Sequence, residues 1–129
     1  GYLVCEPGLA AAIRSVSTPF GVNLPAQAAA AAALGEAELA RTAERSATVA
    51  AERDRVVDAL RAQGWEVPDA QGNFFWLGVG DETAALAEHF RAAGILVRPF
   101  VGEGVRVSIG TTSDNERVLA AAAAWSAEH

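Results

Sequence analysis

The chain has 129 residues, 51% of them hydrophobic and 20% charged, a balance that suits one globular domain and excludes a disordered or fibrous protein. Ten basic against sixteen acidic residues leave a net charge of −6 with no basic run, so binding of a phosphate backbone by bulk charge is not expected and no nucleic-acid partner is indicated. All ten basic residues are arginine, so no side chain of this chain supplies the amine of a Schiff base.

Cys5 is the single cysteine, which leaves no intrachain disulfide and no multi-cysteine metal site, and fits a reduced cytoplasm. The apolar run Ala28 to Leu34, like the others in the chain, is far too short to span a membrane, and the first residues lack the positively charged start of a signal peptide. A soluble protein with no membrane partner is expected.

In chain order, Tyr2 to Cys5 reads as a short strand, and Pro7 opens a helix through about Val16, because proline is well placed in a first turn. Ser17 to Pro25 is a connector, Ala26 to Leu34 is helical, and Gly35 stops it. From Glu36 to about Gln63 the positions Leu39, Ala43, Ala50, Val57 and Leu60 recur at helical spacing. Arg41, Arg45, Glu52, Arg53, Arg55 and Arg61 fall mostly outside that stripe, so one long amphipathic helix is expected, capped by Gly64.

Trp65 to Val67 and Asn73 to Val79 read as two strands, Asp81 as the cap of a helix ending before Gly94, and Ile95 to Phe100 and Val105 to Ile109 as a hairpin. Ser113 and Glu116 have the spacing of a capping box before the last helix. The expected fold class is α/β of the α+β kind: N-terminal helices including one long helix, then a ββαββα unit whose small sheet is covered by helices.

The hairpin is the most informative segment. With Gly102, Glu103 and Gly104 as a three-residue loop, Val101 faces Val105, and Arg98, Phe100, Arg106 and Ser108 share one sheet face. Two guanidinium forks beside a ring suit a small anion with an apolar part; ordinary solvent-facing arginines are the alternative. Gly102-x-Gly104 is turn chemistry, since no helix follows it to cradle a phosphate.

His89 and His129 have no partners at ligand spacing and read as surface residues, so no metal is expected. Glu82, Glu88, Asp114 and Glu116 sit at helix starts or on solvent faces. Trp65, Trp76 and Trp125 read as core or interface rings, Asn23 and Asn73 as local caps, and Cys5 as a small buried residue.

Several stretches resemble the C-terminal part of fold-type I aminotransferases that use pyridoxal phosphate, nearest the histidinol-phosphate and aromatic amino-acid group. Gly1-Tyr2 matches the end of the stretch that follows the family's cofactor lysine, and Pro19-Phe20-Gly21-Val22-Asn23 with Ala26-Gln27-Ala28-Ala29 resembles its P-F-N-V-N…A-Q-x-A connector. Gly21 departs from the usual asparagine. Gln71-Gly72-Asn73-Phe74 resembles the family's S-x-A-N-F strand start, and Gly94 to Arg98 and Val105 to Thr111 resemble its last two strands.

The resemblance implies that Arg106 grips the substrate α-carboxylate and that Arg98 helps hold the distal group, with Asn23 and Asn73 behind them. It implies that residues 1–35 adjoin the large domain and that 36–129 form the small domain. The cofactor lysine and most of the phosphate cup then lie outside this chain, which alone is expected to be inactive and to lack covalently bound pyridoxal phosphate. The implied partners are an amino-acid substrate, the missing large domain or a companion chain, and a second subunit of a homodimer. A non-enzymatic small-ligand-binding or regulatory α/β domain is the competing class, because fold alone does not decide function. A purely structural module built on the Ala-rich long helix is a third.

Overall fold

A proline and a carboxylate start the first helix. Pro7 occupies its first turn and Glu6 accepts from the amides of Gly8 and Leu9 at 2.5 and 2.9 Å, giving α1 (Pro7–Val16). The computed structural model describes residues 3–128, which fall into two units divided between Arg41 and Thr42. In the first, Asn23 Oδ1 accepts from Ala26 N at 2.9 Å with Pro25 in the opening turn, so α2 (Leu24–Ala33) starts two residues earlier than its alanines suggest. The expected strand at Tyr2 to Cys5 is corrected: Tyr2 lies outside the described residues, and Leu3 to Cys5 has no partner strand and is irregular. Cys5 is half-buried rather than buried.

The long helix α3 (Glu36–Ala62) runs from the first unit into the second. Its buried residues are Val56, Val57 and Leu60, all in the last two turns; Leu39 and Ala43, expected inside, are exposed. Conversely Arg53, expected outside, keeps only 13% of its side chain exposed. Gly64, at φ 95°, ends the helix in a Schellman motif, with Trp65 N donating to Leu60 O at 3.1 Å and Gly64 N to Arg61 O at 3.0 Å. That closure uses Trp65, and the Val67 carbonyl accepts twice from Arg61, at 3.1 and 2.7 Å, so no strand forms at Trp65 to Val67.

The rest is β1 (Phe74–Gly78), α4 (Thr83–Ala92), β2 (Arg98–Phe100), β3 (Gly104–Ser108) and α5 (Thr112–Glu128). Asp81 does not cap α4. It lies in a short 3₁₀ turn, Gly80–Glu82, tied down by Thr83 Oγ1 donating to Gly80 O at 2.6 Å. A second Schellman motif at Gly94 takes Ile95 N to Phe90 O at 2.9 Å, which delays β2 to Arg98. The capping box of α5 is Thr111 with Asp114, not Ser113 with Glu116. Asp114 N donates to Thr111 Oγ1, and Asp114 Oδ2 reaches back to Thr111 N, both at 3.3 Å. Glu116 instead pairs with Arg55 at 2.8 Å.

The sheet therefore has three antiparallel strands in the order β1-β3-β2, not four, and the second unit is an α+β small domain. Phe75, Leu77, Val105 and Val107 line one face and meet the buried residues of α3, α4 and α5, including Phe90 and Trp125. Each such side chain taken from water contributes about 1.5–3 kcal/mol, so this face carries the stability of the unit.

Candidate functional site

The opposite face is a small grid. Trp76 of β1 stands opposite Arg106 of β3, which stands opposite Arg98 of β2; one step along, Gly78, Gly104 and Phe100 form the next row, and Phe74 faces Ser108 on the other side. The expected pairing of Val101 with Val105 is two residues out: Gly104 joins the strand, the loop is 101–103, and Pro99 faces Val105. A slip of two preserves which face each side chain uses. Arg98 and Arg106 therefore share a face as expected, and they do so as direct cross-strand partners.

Like charges placed directly opposite destabilise a ladder by a few tenths of a kcal/mol to about 1 kcal/mol. Each guanidinium is held by a ring instead of by a carboxylate. Arg106 lies over Phe74 at 5.2 Å from the ring centroid, and Arg98 over Phe100 at 5.3 Å. Phe74 and Phe100 flank the arginine row on opposite sides, so the two cations lean apart along the strands, and among the described residues neither pairs with an acid. Arg106, on the central strand, is half-buried; Arg98, on the edge, is exposed. Two forked donors on an aromatic bed can bind one small anion bearing an apolar group.

Trp76 completes the face. Its indole and the Phe100 ring meet edge-on, 5.5 Å between centroids and 63° between planes. Glycine at position 104 is required by this approach, because a Cβ there would lie 2.8 Å from Trp76 Cζ2 and collide with the Leu77 carbonyl oxygen.

Below the site, β3 is locked at its far end. Ile109 N donates to Asn73 O at 2.9 Å, and the buried Asn115 side chain engages both backbone groups of Gly110, at 3.0 and 3.1 Å. Asn115 Nδ2 also donates to Glu52 Oε1 at 3.0 Å. Hydrogen bonds from Arg55 and Asn115 hold the Glu52 carboxyl far below the usual carboxylate range, at about 2. The cap at Thr111 likewise holds Asp114 low.

Of the other predicted residues, Asn23 caps α2 in the first unit, while Asn73 borders an open groove with Arg45 and Arg53. His89 is not a plain surface residue: it is half-buried, its Nε2 lies 2.9 Å from Ala121 O, and its ring meets Trp125 edge-on. His129 lies outside the described residues. Trp125 is a core ring, as expected. Among the described residues no group of three or more His, Cys, Asp or Glu is placed to hold a metal, and no helix is long and apolar enough to cross a membrane. Asn115 and Glu52, which sequence reasoning missed, carry no local signal beyond the spacing Gly110-x-x-x-x-Asn115.

The sequence profile of the aminotransferase class I and II family matches residues 1–122. The chain belongs to this family. It is 48% identical over 120 residues to an aromatic amino acid aminotransferase of Streptomyces coelicolor, covering 92% of this chain and 33% of that protein. It is 49% identical over 123 residues to one of Thermobifida fusca, covering 95% and 33%. A Burkholderia pseudomallei crystal structure assigned as an aminotransferase superposes with a TM-score of 0.77 at 32% identity, over 92% of this chain and 37% of that one. The chain thus spans about a third of the length of the relatives it matches, and its likeness to them is to their C-terminal part.

Proposed function

We propose that the chain is the substrate-carboxylate-binding part of a pyridoxal-phosphate-dependent aminotransferase that exchanges the amino group of an aromatic amino acid with an oxo acid. The observation that carries this is the cross-strand pair Arg98 and Arg106, ring-backed and without an acid partner among the described residues, on the face turned away from the core. Arg106 presents two N–H donors to the α-carboxylate, and Phe74 holds the plane of its fork. Arg98 reaches the distal end of the substrate; a phosphate there makes histidinol phosphate the second substrate class. Asn73 stands behind Arg106, where its backbone carbonyl pins Ile109, and the Asn23 side chain keeps the connector in shape.

Pyridoxal phosphate, when bound, supplies the electron sink for amino transfer. This chain has no lysine to carry it, so its residues do not fit covalent attachment, and no chemical step is assigned to them. Residues 1–35 adjoin the large domain and 36–129 are the small domain; the chain alone is inactive. The whole enzyme works in the cytoplasm as a homodimer. Support for its class comes from the named relatives, both described as aromatic amino acid aminotransferases.

The test is to assay transamination of phenylalanine by the protein encoded by the complete gene and by residues 1–129 alone. Activity confined to the longer protein supports the proposal; turnover by the chain alone overturns it. Binding of phenylpropionate by the longer protein, lost in Arg106→Ala, separates a substrate site from a regulatory domain.

A further inference from the structure

Phe74 and Phe100 each back a guanidinium, which leaves the third ring of the face, Trp76, with no cation on it among the described contacts. Trp76 stands beside Arg106 in the same row, so both lie within reach of one ligand of phenylalanine length. Its indole is laid down rather than upright. A Cβ on Gly78 would lie 3.3 Å from Trp76 Nε1, and one on Gly104 2.8 Å from Cζ2, and these two glycines are themselves cross-strand partners. Two side-chain positions are thus kept empty so that one ring can cross them and meet Phe100 edge-on. Tryptophan here is also half-buried on the open face, although an apolar residue of this size gains more on the inner face, where Phe75 and Leu77 alternate with it.

We propose that Trp76 determines specificity: its indole, seated on the Gly78–Gly104 pair, is the surface on which the ring of an aromatic substrate packs while Arg106 holds the carboxylate. This rests on the site described under the proposed function. Phe100 buttresses the indole from β2, so a planar ligand gains an aromatic contact that a branched aliphatic ligand of the same charge does not.

The experiment compares binding of phenylpropionate and isocaproate, two carboxylates differing in the ring, to the protein encoded by the complete gene. An aromatic pair adds about 0.5–1.5 kcal/mol, which at 1.4 kcal/mol per tenfold is a preference of about 2- to 12-fold. Trp76→Leu is expected to abolish that preference with isocaproate binding little changed, and Trp76→Phe to restore most of it. Fluorine NMR of fluorotryptophan-labelled wild-type protein needs no folded leucine variant. The resonance missing from Trp76→Phe should move with phenylpropionate and stay still with isocaproate. An unchanged preference in Trp76→Leu, or a resonance indifferent to both acids while they bind, overturns the role of Trp76 and leaves the arginine site standing. Binding of neither acid by the wild type overturns the site itself, and this inference with it.

Discussion

Replacing Gly104 by alanine tests how the face is built. The new methyl group meets Trp76 Cζ2 at 2.8 Å and Gly78 Cα at 3.0 Å, and is closer still to the Leu77 carbonyl oxygen. A flexible side chain could swing aside, but two of these neighbours are backbone of the paired strand, so β1 and β3 have to separate where Leu77 and Val105 are fully buried. Overpacking of this kind costs about 1–3 kcal/mol, and rigid backbone on one side places the expected loss at about 2 kcal/mol or more. In a unit of this size each kcal/mol moves the midpoint by about 4–8 °C, so Gly104→Ala should melt about 8–16 °C lower, measured by circular dichroism with urea unfolding as the check. A Cβ at Gly102 meets open space but takes a left-handed backbone at φ 78°, so Gly102→Ala should cost only the conformational term of about 1 kcal/mol. Gly104→Ala as stable as wild type, or Gly102→Ala the more damaging of the two, would refute the close approach of Trp76 and β1 to position 104.

In the longer protein, Arg106→Lys should raise KM for phenylalanine about tenfold to a hundredfold, because one ammonium replaces a charge-assisted fork; an unchanged kcat/KM in steady-state kinetics rules out the carboxylate role. Glu52 has a folded pKa lowered from the usual carboxylate range to about 2, so its contribution is present above that range and lost as pH falls from about 4.5 towards 2. Urea midpoints across that interval should therefore fall less steeply in Glu52→Gln than in wild type. Thr111→Ala removes the N-cap of α5 and should cost about 1 kcal/mol, read as a lower urea midpoint with unchanged m, whereas Ser113→Ala should be nearly silent.

Helix ends and strand faces were legible because their causes are local. Pro7, Gly64 and Gly94 each act through their own backbone angle or the loss of one amide, and the structure has them where those properties demand. The misplaced strands at Trp65 to Val67 and at Ile95 to Val97 share one reason. A Schellman motif consumes the residue after its glycine, so a β-rich run there starts by closing the helix. Thr111 was missed because serine and threonine follow one another from 111 to 113, and three candidates compete for one cap. The Asn115–Glu52 contact joins residues 63 apart in sequence, and no period or motif encodes such a distance.

The arginine pair survived an error in register because sheet faces repeat every two residues. Pairing Val101 with Val105 and pairing Pro99 with Val105 differ by two, and either puts Arg98 and Arg106 on one side. What the wrong register could not supply is the row itself. With Arg98 two places further along, the arginines would be diagonal neighbours, Phe100 would face Arg106, and neither cation would need to lean away from the other. The observed register makes them direct opposites, at a cost to the ladder of up to about 1 kcal/mol. Here the same alignment sets Gly104 against Gly78 and Phe100, clearing the space across which Trp76 lies. One choice of register thus sets the two arginines opposite each other on one face and makes room for a ring beside them, while the alternating residues Phe75, Leu77, Val105 and Val107 hold the sheet from behind.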